Sequence, residues 1–130
     1  MIPCITLTLA IGLLFMKTDL PERRFAFAKR IVKLCQTLEE HQGVAQTLSR
    51  QLIRSGTSIG ANVQEGQASQ SRKDFRLKYN IACKEARETL YWLRLLAETE
   101  VVPSDRLKPM MDECNELIAI LTSIVKKLRD

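Results

Sequence analysis

With 130 residues, the chain fits one domain with a modest core. Hydrophobic residues make up 45% but aromatics only 5%, which argues for aliphatic helix packing and against an aromatic-rich β structure. A net charge of +5 and a pI near 9.2 suit an anionic partner.

Met1 to Phe15 carries no charge. It is shorter than the ~20 apolar residues of a spanning helix, and it lacks the basic n-region and small-residue cleavage site of a secretory signal. Residues 1–15 therefore read as an apolar extension upstream of a natural start at Met16, with 16–130 as the single domain. A weak membrane anchor is the rival reading of the extension; no membrane partner is expected.

Helix 1 is expected from about Leu20 to Gln42, with Asp19 and Glu22 as a capping-box pair and Pro21 in the first turn. Phe25, Ala28, Val32 and Cys35 form one apolar row, and Phe27, Ile31, Leu34 and Leu38 a second. Two rows are wider than a simple seam requires, which suggests contact with another subunit as well as with the core. Gly43 suits a left-handed cap, and His41 reads as a solvent-side cap residue rather than a catalyst.

Helix 2 is expected from about Val44 to Glu65, through Ala45, Leu48, Leu52, Ile59 and Val63. Between Arg54 and Glu65 it carries no charge. Leu52, Gly56, Ile59 and Val63 share a face, and Gly56 with Gly60 would form a small-xxx-small ridge for close backbone approach. A glycine costs about 1 kcal/mol against alanine inside a helix, so two here need a packing reason. Ser55, Ser58, Asn62 and Glu65, with Glu85 and Glu88 further on, read as a buried polar motif that fixes helix register. That reading outweighs a catalytic pairing of Ser58 with Glu65 or Glu85, and a Gly/Ser-rich loop is the alternative for the whole stretch.

Helix 3 is expected from about Arg72 to Thr99, capped by Ser71 with Asp74 in its first turn. Phe75, Tyr79, Ala82, Ala86, Leu90 and Leu93 form its core row. Another face reads Lys73, Arg76, Asn80, Lys84, Arg87, Tyr91, Arg94: five cations and no acid. At 1.5 Å per residue the row spans about 30 Å. A charge stripe is usually a solvated face, but cations interleaved with an amide and an aromatic also suit phosphate tracking with secondary contacts to sugars or bases. These seven residues are the candidate nucleic-acid-binding set.

Ser104 is a candidate N-cap for helix 4, whose heptad is Leu107, Met111, Cys114, Ile118, Leu121, Val125, Leu128, widened by Met110, Leu117 and Ile124. Pro109 fits near the start, or the helix begins nearer Lys108. From Lys17 to Arg94 fifteen cations face eight acids, and from Ala97 onward five face seven, so the basic side belongs to helices 1 to 3. Four helices with short links imply an all-α, antiparallel up-down-up-down bundle.

Cys4, Cys35, Cys83 and Cys114 show no CxxC; the last three fall on or beside apolar rows and read as core hydrophobes in a reducing cytoplasm. A metal site would want more ligands than His41 adds. There is no HExxH, GxxxxGK[ST] or GxGxxG, so neither a catalytic residue nor a cofactor is assigned.

The pattern Arg54-Ser55-x-Thr57-Ser58-Ile59-x-Ala61-Asn62-x-x-Glu65-Gly66 resembles the signature of the four-helix-bundle proteins encoded in intervening sequences of bacterial 23S rRNA genes. Asp74-Phe75, then Ile81-Ala82-x-x-Glu85-Ala86-x-Glu88-Thr89-x-Tyr91-Trp92-Leu93, is similar to that family's third helix. The resemblance covers roughly Phe25 to Leu128. The family is also similar to the accessory proteins of diversity-generating retroelements, which form ring-like pentamers and bind nucleic acid. The resemblance thus implies a bundle, a homo-oligomer (a pentamer most of all), and no catalytic residue to carry over. Two functions follow as expectations: a nucleic-acid-binding accessory module acting on structured RNA or an RNA–DNA intermediate, or a structural module that docks a reverse transcriptase or other polymerase, or a ribosomal partner.

Overall fold

A computed structural model describes residues 20–129, and four helices carry the chain through them: α1 (Leu20–Glu39), α2 (Val44–Gln67), α3 (Arg72–Glu98) and α4 (Ser104–Lys127). Links of four or five residues force neighbours to run antiparallel. The result is the up-down-up-down bundle that the periodicity implies. α2 packs along α1 and α3, and α3 along α4, while the α1–α4 seam that closes the bundle is thin. A forked ion pair spans that seam: Arg23 Nε donates to Glu113 Oε2 at 3.0 Å and Nη2 to Oε1 at 2.6 Å.

Each helix turns one apolar face inward. Phe27, Ile31, Cys35 and Leu38 come from α1, and Leu52, Gly56, Ile59 and Val63 from α2. Phe75, Tyr79, Ala82, Ala86 and Leu93 come from α3, with the Phe75 and Tyr79 rings stacked at 4.2 Å. From α4 come Leu107, Cys114, Leu121 and Val125, and also Met110, Leu117 and Ile124. The wide stripe on α4 is thus consumed within the chain. On α1 it is not: of the row Phe25, Ala28, Val32 and Cys35, only Cys35 is buried, and Phe25 is 66% exposed.

The glycine ridge is corrected. A Cβ on Gly56 would sit 2.8 Å from Ile31 Cγ2, so α1 does approach there. A Cβ on Gly60 would meet nothing nearer than Arg24 at 3.9 Å; the second close approach is at Gly66, against Tyr79 Cε1 at 2.7 Å. The three described cysteines are buried and unbridged. Cys35 Sγ donates to the Ser49 carbonyl while Ser49 Oγ donates back to that of Cys35, and Cys114 Sγ donates to the Ala86 carbonyl across the α3–α4 seam.

Ends shift by small amounts. α1 stops at Glu39, where Glu40 and His41 turn back onto the Thr37 and Leu38 carbonyls. Gly43 takes φ +83° before α2. Ser71 caps α3, accepting from the Asp74 amide at 3.1 Å. Ser104 is not a cap: it is the first residue of α4, Pro103 precedes it without a side-chain cap bond, and Pro109 lies inside the helix. The extension at residues 1–15, Asp19 of the capping box and Cys4 fall outside the described residues.

Candidate nucleic-acid interface

The Ser71 cap and the Phe75–Leu93 core row set the rotation of α3, and this turns the Lys73–Arg94 row outward along the side next to α4. Lys73, Arg76, Lys84, Arg87, Tyr91 and Arg94 are exposed and Asn80 is half-buried. Lys73, Arg76 and Lys84 make no ion pair among the described residues. Arg87 Nη2 reaches Thr122 Oγ1 on α4 at 3.4 Å. Arg94 faces Glu98 one turn on, at 3.6 Å. Tyr91 is 56% exposed and stands edge-on to Trp92 at 5.0 Å. The row is therefore a continuous polar ridge with its least neutralised cations toward the start of α3.

The polar motif lies on the opposite side of α3, against α2. Its members do not form one buried network. Ser55 is fully buried and its Oγ meets Thr89 Oγ1 at 3.0 Å. Arg54 crosses the same contact, with Nη1 on Glu85 at 3.3 Å and Nη2 on Glu88 at 2.5 Å. The Arg54 hydrogen bond holds the Glu88 carboxyl below its ordinary value, while burial raises Glu85 despite the same guanidinium. Ser58 Oγ donates to the Arg54 carbonyl and Asn62 Nδ2 to that of Ser58, both within α2, and Glu65 pairs with Lys78 at 2.7 Å. Ser55, Arg54 and Glu65 thus join α2 to α3, while the Ser58 and Asn62 side chains bond within α2.

The family model for the 23S rRNA-intervening sequence protein matches residues 17–123. The chain belongs to that family. One solved structure similar to this chain is the 1.70 Å crystal structure of a protein of unknown function from the S23 ribosomal protein family of Bacteroides thetaiotaomicron VPI-5482. The two are 44% identical over 82% of this chain and 97% of that one, with a TM-score of 0.75. No curated protein matches the chain.

Two further residues take roles that only the packing reveals. Thr89 sits in the core row between Ala86 and Leu93, and a hydroxyl at such a place signals a buried partner. Arg129, a cation just past the end of α4 where it suits the helix dipole, is brought by antiparallel packing into one cleft with Lys73, Arg76 and Asn80. Among the described residues, no cluster of His, Cys, Asp or Glu could hold a metal ion, and no helix is long and apolar enough to cross a membrane.

Proposed function

We propose that this chain is a non-enzymatic accessory protein that binds structured RNA or an RNA–DNA intermediate through the exposed ridge on α3, as a basic homo-oligomer. The observation that carries the reading is the exposure of Lys73, Arg76, Lys84 and Arg87 on one helix face, on the side away from the ion pairs that tie α3 to α2. Such a ridge binds by releasing counterions from phosphates, so affinity falls steeply with salt and depends little on sequence. Tyr91 and Asn80 would add contacts to bases or sugars.

Anisotropy titrations of a structured RNA and an RNA–DNA hybrid across a salt series test this. Wild type should bind at low salt, and the double variant Arg76→Gln, Arg87→Gln should bind more weakly with a log–log salt slope shallower by roughly 1–2. No binding by wild type at low salt removes the reading. Salt-insensitive capture of one polymerase or ribosomal protein would favour the docking alternative.

The oligomer is supported by the exposed Phe25 and Val32 on α1, which leave apolar surface uncovered among the described residues. Its ring form, a pentamer, rests on the retroelement resemblance. Sedimentation equilibrium should give a species several times the 14.8 kDa chain mass, and Phe25→Ser should shift it toward that mass. A wild-type monomer at micromolar concentration overturns the assembly.

A further inference from the structure

The groove between α3 and α4 holds two clefts, and they are electrostatically unlike. One, of about 540 Å³, lies where α3 begins and α4 ends, and the other, of about 500 Å³, lies toward the opposite end. In register between them, Arg87 reaches Thr122. The second cleft's cations each face an acid that also lines it: Arg94 faces Glu98, and Lys108 faces Asp112 at 3.2 Å. Among the described residues, the first brings Lys73, Arg76 and Arg129 together against one acid, Asp74, whose backbone amide closes the Ser71 cap. Its lining also contains the Asn80 amide, the Val125 side chain from the core, and Leu77, which is 55% exposed on an otherwise polar face.

We infer that this first cleft seats one unpaired nucleotide of a bound nucleic acid, with phosphate against Lys73, Arg76 and Arg129 and the base against Leu77 and Val125. The inference rests on the nucleic-acid reading above and gives that ridge a specific anchoring point. The chemistry is mixed in the way a nucleotide is mixed. Three cations match a charged phosphate, a flat base covers apolar side chains that water would otherwise wet, and the Asn80 amide has both donors and an acceptor for a base edge. The volume lies within the ~300–1,000 Å³ of small-ligand sites. A duplex keeps its base faces stacked, so only a loop, bulge or single-stranded end presents what Leu77 can cover.

The test compares a short labelled oligouridine with an abasic ribose-phosphate strand of equal length and charge. Wild type should bind oligouridine several-fold more tightly than the abasic strand. Leu77→Ser should erase that preference; Leu77 lies outside the core, and unchanged circular dichroism will confirm the fold. Arg129→Gln should weaken both strands and flatten the log–log salt slope by about 0.7, the share of one single-strand phosphate contact. Equal binding of the two strands by wild type, or an Arg129→Gln variant that binds both normally, overturns the inference. If those results come with binding that Arg76→Gln, Arg87→Gln still weakens, the cleft falls and the ridge stands; no wild-type binding at all removes both.

Discussion

Thr89 Oγ1 lies 3.0 Å from Ser55 Oγ inside the α2–α3 contact, and neither residue is exposed to solvent. Each hydroxyl also has a carbonyl of its own helix in reach, Glu85 O at 2.8 Å for Thr89 and Leu52 O at 3.4 Å for Ser55. Removing either hydroxyl therefore leaves its partner satisfied. Ser55→Ala and Thr89→Val should each cost about 1 kcal/mol in urea unfolding, and the double variant should cost less than their sum. Strict additivity would show that the two hydroxyls do not interact.

The glycines of α2 should respond with opposite signs. A methyl on Gly56 meets the fully buried Ile31, and one on Gly66 meets the Tyr79 ring. Overpacking of about 1–3 kcal/mol exceeds the helix-propensity gain of up to about 1 kcal/mol, so Gly56→Ala and Gly66→Ala should lower the thermal midpoint. Gly60→Ala meets only the Arg24 side chain at an ordinary contact distance of 3.9 Å and should raise it. A lowered midpoint for Gly60→Ala would return that residue to the packing ridge.

Glu88 and Glu85 share Arg54 but should act oppositely with pH. A carboxyl held low, as Glu88 is by the Arg54 hydrogen bond, adds stability above its unfolded pKa and loses it as pH falls through the folded value. Glu85 is raised, first by burial, so its contribution is present below its unfolded pKa and lost as pH rises through the folded value. Glu88 is partly exposed, so Glu88→Gln should cost no more than about 1 kcal/mol at neutral pH. That gap should close as the medium is acidified below the ordinary carboxylate value of 4.5. Glu85→Gln should be neutral or stabilising at neutral pH. Melting curves across the acid range check both; a pH-independent Glu88→Gln gap would count against the Arg54 contact.

Along the ridge, position should matter more than charge. Arg94 is already paired with Glu98, whereas Arg76 makes no ion pair among the described residues. In anisotropy titrations at low salt, Arg76→Gln should therefore weaken nucleic-acid binding more than Arg94→Gln. Equal losses would mean that the field of the whole face, rather than the α3 N-terminal end, governs binding.

The bundle was legible because four apolar rows repeat at helical spacing and the links between them are short, so Leu52–Val63 and Phe75–Leu93 could be placed before any contact was known. The roles of Gly56 and Gly60 were not separable, since both lie in α2 and only the neighbouring helix decides which one is approached. Arg129 was hidden for a related reason: its neighbours Lys73 and Arg76 are distant in the chain and meet it only through antiparallel pairing. Pro109 fitted either a place near the start of α4 or a later start near Lys108; the helix begins at Ser104, since a proline early in a helix sacrifices one amide hydrogen bond while Leu107 and Met110 on either side are buried.

The buried thiols supply the chain with internal clocks. Burial pushes the Cys35 thiol above its ordinary value and that of Cys114 up to about 12, so neither reacts as a thiolate while the helices are closed. Cys35 is held against the Ser49 carbonyl between α1 and α2, and Cys114 against that of Ala86 between α4 and α3. Alkylation read cysteine by cysteine with mass spectrometry therefore times the departure of the first and last helices separately, in the unaltered chain. Because α1 packs less extensively along α2 than α4 does along α3, the Cys35 adduct should accumulate ahead of the Cys114 adduct.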